Sequence, residues 1–213
     1  MTNIEQLVDE IVKRIQPEIT TNTVLVEGSG RHVHLDRATI DALFGEGYQL
    51  TKAKDLSQPG QYACKERITI ASGKNSFQNV VILGPERQAS QVEISATDAT
   101  TLGLRVPVRE SGDIAGTPGI VLINGERSVI LKTGLIVAKR HIHMTEEDAR
   151  RFKVTKGEIV QVKIDGYRPL IFDDVVIRVS DKFATTMHID YDEANACGLK
   201  PGSRGEVLKK SGL

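Results

Sequence analysis

The 213-residue sequence has no tryptophan, and aromatic residues make up only 4% of it. So few aromatic rings do not provide the stacking surface that proteins binding single-stranded nucleic acid use. Lys+Arg and Asp+Glu both number 28, so no net charge attracts nucleic acid or an anionic membrane. We therefore expect neither nucleic acid nor a membrane as a partner.

Cysteine is also scarce, since Cys64 and Cys197 are the only two. Two cysteines do not form a disulfide framework, and we expect both to be reduced thiols in the cytoplasm. Aliphatic runs stop at about four residues, as in VVIL and IVLI, whereas a membrane span needs about 20. The start of the chain lacks the pattern of a secretory signal. These features predict a cytoplasmic protein, or one inside a compartment that the cytoplasm encloses.

The chain opens with an amphipathic helical pattern and then changes character. Residues 3–16 place six aliphatic residues at helical spacing, and Pro17 ends the pattern. The remaining segments are short, rich in β-branched residues and punctuated by glycine, proline and asparagine, such as NVVILGP and GEIVQVKID. This pattern predicts a mainly β protein built as a sandwich or barrel.

An internal repeat refines the predicted fold. RHVHLDRATIDALF at residues 31–44 parallels RHIHMTEEDARRF at 140–152, and QVEISATDATTLGL at 91–104 parallels TMHIDYDEANACGL at 186–199. Each segment carries signals for a short helix, including a predicted capping box from Thr145 to Asp148. We therefore predict two similar units related by a pseudo-twofold axis. Arg31 and Arg140 precede the two histidine pairs, and we expect them to form salt bridges that fix the repeat.

Four of the five histidines, namely His32, His34, His141 and His143, lie in the two His-x-His pairs. We place each pair at the end of a strand, where alternate side chains point to the same side. Two such imidazoles can bind one metal ion at about 2.0–2.1 Å if the ion is zinc.

The repeat supplies a third ligand to each pair. Glu93 occupies in the first copy the position that His188 occupies in the second. Three protein ligands leave a coordination position open, as in catalytic sites. The nitrogen-rich ligand sets favour Zn²⁺, with Co²⁺, Mn²⁺ or Fe²⁺ as alternatives.

Two further segments are candidates for binding an anion. Arg87, six residues before Glu93, could bind a phosphate with its guanidinium group, or could be an ordinary surface arginine. The glycine-rich segment RESGDIAGTPGI carries Ser111 and Thr117 and could present backbone N–H groups to an anion, or could be a tight turn. QPGQYA at 58–63 indicates a structural turn before a strand.

Seven motifs occur together in order over about residues 24–200: RHVHL, QPGQYA, LGP-x-R, QVEIS-x-TDA, SG-x(3)-GTPGI, RHIHM and MHID-x-DEANA. This set resembles the phosphate propanoyltransferase (phosphotransacylase) family of propanediol-utilisation bacterial microcompartments. The resemblance implies two small β-barrels related by an internal repeat and capped by short α-helices, with a dinuclear zinc site between them. It also implies reversible transfer of an acyl group, propanoyl or acetyl, between coenzyme A and phosphate.

The resemblance assigns roles to matching residues of this chain. Its metal ligands are His32, His34 and Glu93 for one zinc ion, and His141, His143 and His188 for the other. Arg87 is the catalytic phosphate ligand, and Ser111 is expected to hydrogen-bond the phosphate. The segments EGSG before Arg31 and CKER at 64–67 depart from the family pattern, so the residues that contact coenzyme A stay unassigned.

The resemblance also implies how the chain divides and what it binds. Residues 1–19 form the N-terminal helix, 20–30 and 139–213 form one barrel, and 31–138 form the second. Residues 3–16 are a candidate encapsulation segment that binds microcompartment shell proteins. The expected substrates are coenzyme A, acyl phosphate and phosphate. Separately from the resemblance, the zero net charge favours association, and we expect a homodimer.

The reaction expected from the resemblance is attack of a metal-bound coenzyme A thiolate on acyl phosphate. Two alternatives stay open. A zinc-dependent hydrolase of acyl phosphate or a related ester would use the same ligands with water as the nucleophile. A non-catalytic scaffold would use the metal ions only to stabilise the two repeats.

Overall fold

A computed structural model describes residues 22–209 of the chain. Strands account for 45% and helices for 15% of the structure, which confirms the predicted mainly β class with short helices. The expected N-terminal amphipathic helix at residues 3–16 lies outside the described residues. No helix within residues 22–209 combines the length and the apolar character that crossing a membrane requires.

Most of the strands are short: all except β4, β5 and β13 have seven residues or fewer. In chain order the first eight are β1 Thr23–Ser29, β2 His32–His34, β3 Lys52–Asp55, β4 Tyr62–Ala71, β5 Ser76–Gly84, β6 Gln91–Ile94, β7 Val108–Arg109 and β8 Ile120–Asn124. The rest are β9 Arg127–Leu131, β10 Leu135–Ala138, β11 His141–Met144, β12 Ile159–Ile164, β13 Leu170–Val179, β14 Thr186–Asp190 and β15 Arg204–Lys209.

These strands form two sheets. One closes into a six-stranded barrel in the order β1-β14-β11-β13-β12-β15. The other is a nine-stranded half-barrel in the order β7-β10-β6-β2-β5-β4-β8-β9, with β3 paired to β4. The two predicted β units are therefore present, but only the six-stranded sheet closes into a barrel.

The predicted repeat appears in the strand pairing. β2 is antiparallel to β6 and parallel to β5, just as β11 is antiparallel to β14 and parallel to β13. In the first unit His32 lies opposite Glu93, and in the second His141 lies opposite His188. Equal register in both units places the two sets of side chains at equivalent points.

The strand before each histidine pair belongs to the other sheet. β1 pairs in parallel with β14 of the closed barrel, although it leads directly into β2 of the half-barrel. β10 pairs in parallel with β6 of the half-barrel and leads into β11 of the closed barrel. This exchange places both histidine pairs where the chain passes between the two sheets.

Along the two histidine strands, side chains point alternately into a hydrophobic core and towards the cavity side of the sheet. Val33 and Ile142, the central residues of the two pairs, are fully buried in the two separate hydrophobic cores. Because successive side chains on a strand point to opposite faces, the flanking histidines point away from the cores. Each His-x-His strand thus anchors itself by one apolar side chain and presents two imidazoles.

Four short helices follow the repeated strands: α1 Arg37–Phe44, α2 Ala96–Leu102, α3 Glu146–Phe152 and α4 Tyr191–Cys197. Each begins at a side-chain N-cap, namely Asp36, Ser95, Thr145 and Asp190; α2 and α4 begin two residues earlier than the N-caps Thr97 and Asp192 that the sequence predicts. At α3 only half of the predicted capping box forms. Thr145 accepts a hydrogen bond from the Asp148 N–H, but the Asp148 carboxylate binds Arg151 and Thr185 instead.

The two arginines before the histidine pairs make the expected salt bridges. Arg31 contacts Asp98 in the first turn of α2 at 2.6 Å, and Arg140 contacts Glu193 in the first turn of α4 at 2.5 Å. Both carboxylates also close capping boxes. Each arginine therefore ties its histidine strand to the helix that follows the third candidate ligand of the same unit.

Candidate active site

A cavity of about 730 Å³ opens between the two sheets. All six candidate metal ligands and both candidate phosphate-binding residues border it. Its lining includes His32, His34 and Glu93 from the half-barrel, His141, His143 and His188 from the closed barrel, and Arg87 and Ser111. Residues distant in sequence thus share one space. Thr117 lies apart, since it is buried and its hydroxyl accepts a hydrogen bond from the Gly134 N–H.

The first set of side chains converges closely. His32 Nε2 lies 3.4 Å from Glu93 Oε2, and His34 Nε2 lies 3.8 Å from Glu93 Oε1. Ligand atoms of all three residues lie within 4.8 Å of one another, and all three residues are buried. This is a donor arrangement that could hold a divalent metal ion.

Backbone carbonyls orient both imidazoles of this set. His32 Nδ1 lies 2.8 Å from the Gly30 carbonyl oxygen, and His34 Nδ1 lies 3.2 Å from that of Leu83. Because a carbonyl only accepts, each Nδ1 carries a proton, and Nε2 is the ring nitrogen that faces Glu93 and can bind a metal ion. Metal-binding histidines are usually oriented in this way.

Glu93 is held by a polar network that reaches the glycine-rich loop. Its Oε1 accepts hydrogen bonds from Gln91 Nε2 at 2.6 Å and from the Ser111 hydroxyl at 2.8 Å. Arg87 donates to the Ser111 oxygen at 3.0 Å, and Gly112 N–H donates to the Gln91 amide oxygen. Oε2 is left facing His32, so the network directs one carboxylate oxygen to the donor cluster.

The second set is more open. His141 Nδ1 lies 2.8 Å from the Lys139 carbonyl oxygen, and His141 Nε2 lies 3.0 Å from His143 Nε2. The His188 ring centroid is 5.5 Å from that of His141 and 5.2 Å from that of His143. Among residues 22–209, His188 Nε2 is buried without a hydrogen-bond partner. A buried ring nitrogen without a partner is costly unless something else binds it.

Burial keeps three of the imidazoles, those of His34, His141 and His143, neutral. It lowers the pKa of His34 to about 3, assisted by the neighbouring His32. It likewise lowers the pKa of His143 to about 2 and that of His141 to about 4, the latter despite the Lys139 carbonyl. Neutral imidazole is the form that binds metal ions. Near pH 7 the site therefore offers lone pairs rather than positive charges at these rings.

Glu93 stays ionised although it is buried. Burial acts to raise the pKa of its carboxyl group, but electrostatic interactions with His32 and His34 and the Ser111 hydrogen bond lower that pKa to about 2. Burial lowers the pKa of Arg87, opposed by the charge of Glu93. Because arginine is not deprotonated in proteins near neutral pH, the Arg87 guanidinium remains charged. The site thus combines a fixed anion with a fixed cation.

The two cysteines are not part of the site. Both are buried in the cores and neither lines the cavity. Burial raises the pKa of the Cys64 thiol to about 11 and also raises that of Cys197. Neither thiol is therefore a reactive nucleophile near pH 7.

The segment EGSG, which departs from the family pattern, forms part of the cavity rim. A Cβ atom built at Gly30 would lie 3.0 Å from the Tyr191 ring, and one at Gly28 would lie 3.3 Å from it. Tyr191 also borders the cavity and is 56% exposed. The glycines let this exposed ring lie against the backbone at the rim.

Sequence reasoning missed two residues that the structure brings to the site. Arg178 in β13 lines the cavity beside the second histidine set. Gln58 was predicted only as part of a turn, yet its buried side-chain amide accepts from Ala184 N–H at 3.2 Å and donates to Ala184 O at 2.8 Å. Gln58 opens the QPGQYA motif, which was interpreted only as a turn, and no motif includes Arg178, although an arginine within an apolar strand is itself a signal.

Comparison with known proteins gives a consistent class. A family model described as phosphate propanoyltransferase matches residues 25–200. A protein of that name from Enterococcus faecalis is 66% identical over 98% of this chain and 99% of its own length. One from Listeria monocytogenes is 64% identical over 98% of this chain and 96% of its own length. One from Thermotoga maritima is 53% identical over 84% of this chain and 86% of its own length.

The fold, the cavity and these similarities define an enzyme of the phosphotransacylase class. More specifically, the chain belongs to the phosphate propanoyltransferase family.

Proposed function

We propose that the chain transfers an acyl group, propanoyl or acetyl, reversibly between coenzyme A and phosphate. The observation that carries the proposal is one cavity lined by Arg87, by the convergent triad of His32, His34 and Glu93, and by the second histidine set. Membership of the phosphate propanoyltransferase family supports the same reaction.

The side chains fit two zinc ions. His32, His34 and Glu93 would hold one ion, because their donor atoms converge and their outer atoms are already hydrogen-bonded. His141, His143 and His188 would hold the other. The buried, unpartnered Nε2 of His188 supports this assignment, because a metal ion would satisfy it.

When bound, zinc would act as a Lewis acid that favours the thiolate form of the coenzyme sulfur and stabilises negative charge on substrate oxygens. Arg87 would bind the phosphoryl oxygens of acyl phosphate, and Ser111, which contacts both Arg87 and Glu93, would hold that guanidinium in place. The coenzyme sulfur, having lost its proton to solvent, attacks the acyl carbon. As the C–S bond forms, the C–O bond breaks and phosphate leaves with the electron pair.

The residues that line the cavity need only bind and orient the substrates in this reaction. Phosphate is a good leaving group, so its departure requires no proton donor. The neutral imidazoles and the buried Glu93 are all committed to the two triads, and both thiols of the chain lie in the cores. Direct transfer between the two substrates therefore suits this set of side chains better than a covalent protein intermediate.

The test is a thioester assay with acetyl or propanoyl phosphate and coenzyme A, on protein before and after chelation and after zinc is restored. We expect thioester formation that chelation abolishes and zinc restores. His141→Ala and Arg87→Ala should lose at least about 100-fold in rate while keeping the native circular dichroism spectrum. Arg105→Ala, an exposed arginine outside the cavity lining, is the matched control and should retain activity.

Other outcomes would point to the alternatives. Loss of acyl phosphate without thioester would indicate a hydrolase. If thioester never forms and chelation unfolds the protein, the metal ions have a structural role only.

A further inference from the structure

Arg178 is placed by β-sheet register on the same side as the second histidine set. In the parallel pair of β11 and β13, Arg178 lies opposite His143, and Val176 lies opposite His141. Residues opposite each other in adjacent strands project to the same face of the sheet. The Arg178 side chain therefore extends beside His143 into the cavity, which it lines.

The Arg178 side chain makes no hydrogen bond or ion pair with any residue between 22 and 209, although the residue is half-buried. Two other cations of the cavity lining have carboxylate partners, namely Asp98 for Arg31 at 2.6 Å and Asp174 for Lys139 at 3.1 Å. A guanidinium carries five N–H donors that need acceptors. Those of Arg178 face the cavity without a protein acceptor.

The repeat shows that the fold does not need an arginine at this position. In the first unit His32 lies opposite Val81 and Val33 opposite Ile82, so the next position in register, opposite His34, is Leu83. Leucine therefore occupies in one unit the place that Arg178 occupies in the other. The charge at this position has a reason other than the packing of the repeat.

Two guanidinium groups, those of Arg87 and Arg178, line this cavity. Burial lowers the pKa of Arg87, the charge of Glu93 raises it, and the positive charge of Arg178 lowers it, so the two guanidinium groups repel each other. The other carboxylates of the lining are engaged, because Glu27 accepts from Ser57 at 2.6 Å and Asp190 caps α4. A dianionic ligand between the two arginines would relieve the repulsion.

We propose that Arg178 is a second phosphate-binding residue, whose guanidinium binds phosphoryl oxygens of acyl phosphate and of phosphate together with Arg87. The proposal rests on the proposed function and adds to it a specific contact of the closed barrel with the phosphoryl group. Arginine suits this role because its planar fork can bind two oxygens at once.

The test is calorimetric titration of zinc-loaded protein with inorganic phosphate. Loss of a charge-assisted contact should weaken phosphate binding by about 10- to 100-fold in Arg178→Gln. Arg178→Lys keeps the charge but not the fork, and should lie between wild type and Arg178→Gln. Arg105→Gln, the same change at an exposed site outside the cavity lining, should bind phosphate within about twofold of wild type.

Kinetics separate binding from a structural role. Arg178→Gln should raise the KM for acyl phosphate with little change in the KM for coenzyme A, whereas a general distortion would raise both. A folded Arg178→Gln variant that binds phosphate as wild type does would overturn the inference. If wild type forms no thioester while Arg178→Gln still loses phosphate binding, the proposed function fails and the phosphate site stands.

Discussion

Gln58 joins the half-barrel side of the molecule to the closed barrel, and its removal should destabilise the protein measurably. The side chain is 4% exposed and makes both hydrogen bonds with the backbone of Ala184, 126 residues away in sequence. Phe183, the preceding residue, packs against His143 with ring centroids 4.3 Å apart. Gln58 therefore supports the segment that leads into the second histidine set.

The expected magnitude follows from the two hydrogen bonds. Each contributes about 1 kcal/mol net, and burial of the freed Ala184 groups adds to the loss. Gln58→Ala should therefore lower the free energy of unfolding by about 2–3 kcal/mol. For a protein of this size that corresponds to a fall in Tm of about 4–12 °C.

The assay is chemical denaturation of zinc-loaded protein, followed by circular dichroism. Gln88→Ala is the matched control, because Gln88 is exposed and its side chain makes no hydrogen bond in residues 22–209. It should change the free energy of unfolding by less than about 0.5 kcal/mol. Equal stability of the two variants would refute the reasoning that Gln58 holds the two sheets together.

Three further predictions concern the site and the start of the chain. Glu93→Gln should reduce bound zinc from two ions to one per chain by elemental analysis; retention of two would show that Glu93 is not a ligand. In chelated protein, His141 and His143 have pKa values of about 4 and 2, below their unfolded values near 6.5. As the pH is lowered, the unfolded chain therefore binds protons before the folded protein does. The free energy of unfolding should fall as the pH drops from about 6.5 to 4, by about 3 kcal/mol for His141 alone. Unchanged denaturation midpoints across this range would contradict the lowered pKa values. Deleting residues 1–19 should leave transferase activity intact and abolish co-purification with microcompartment shell proteins, and unchanged co-purification would contradict the encapsulation role.

We also propose that residues 20–30 and 139–213 form one unit and residues 31–138 the other. The pairing of β1 with β14 and β15, and of β10 with β6, supports this division. Amides of residues 23–29 should then exchange with solvent in the same unfolding step as those of residues 204–209. Joint exchange with residues 62–84 instead would contradict the division.

The mainly β class and the repeat could be predicted from sequence, because both rest on local patterns. Alternation along His-x-His indicated strands, and the alignment of Glu93 with His188 matched the observed register. Arg31 and Arg140 could be expected to form ion pairs because each precedes a repeated motif.

Other features depend on long-range geometry that no local pattern encodes. Whether a sheet closes depends on strand pairing along its whole edge, and here the half-barrel stays open. The contact of Gln58 with Ala184 joins two loops far apart in sequence. Arg178 has no counterpart in the first unit, where Leu83 stands, so comparing the repeats by histidines alone overlooks it.

The measurement that tests the central proposal most directly is the ratio of thioester formed to acyl phosphate consumed by zinc-loaded protein in the presence of coenzyme A. Direct transfer between the substrates predicts one thioester for each acyl phosphate, and no consumption of acyl phosphate when coenzyme A is omitted. Consumption of acyl phosphate that continues without coenzyme A, with little thioester, would contradict the account.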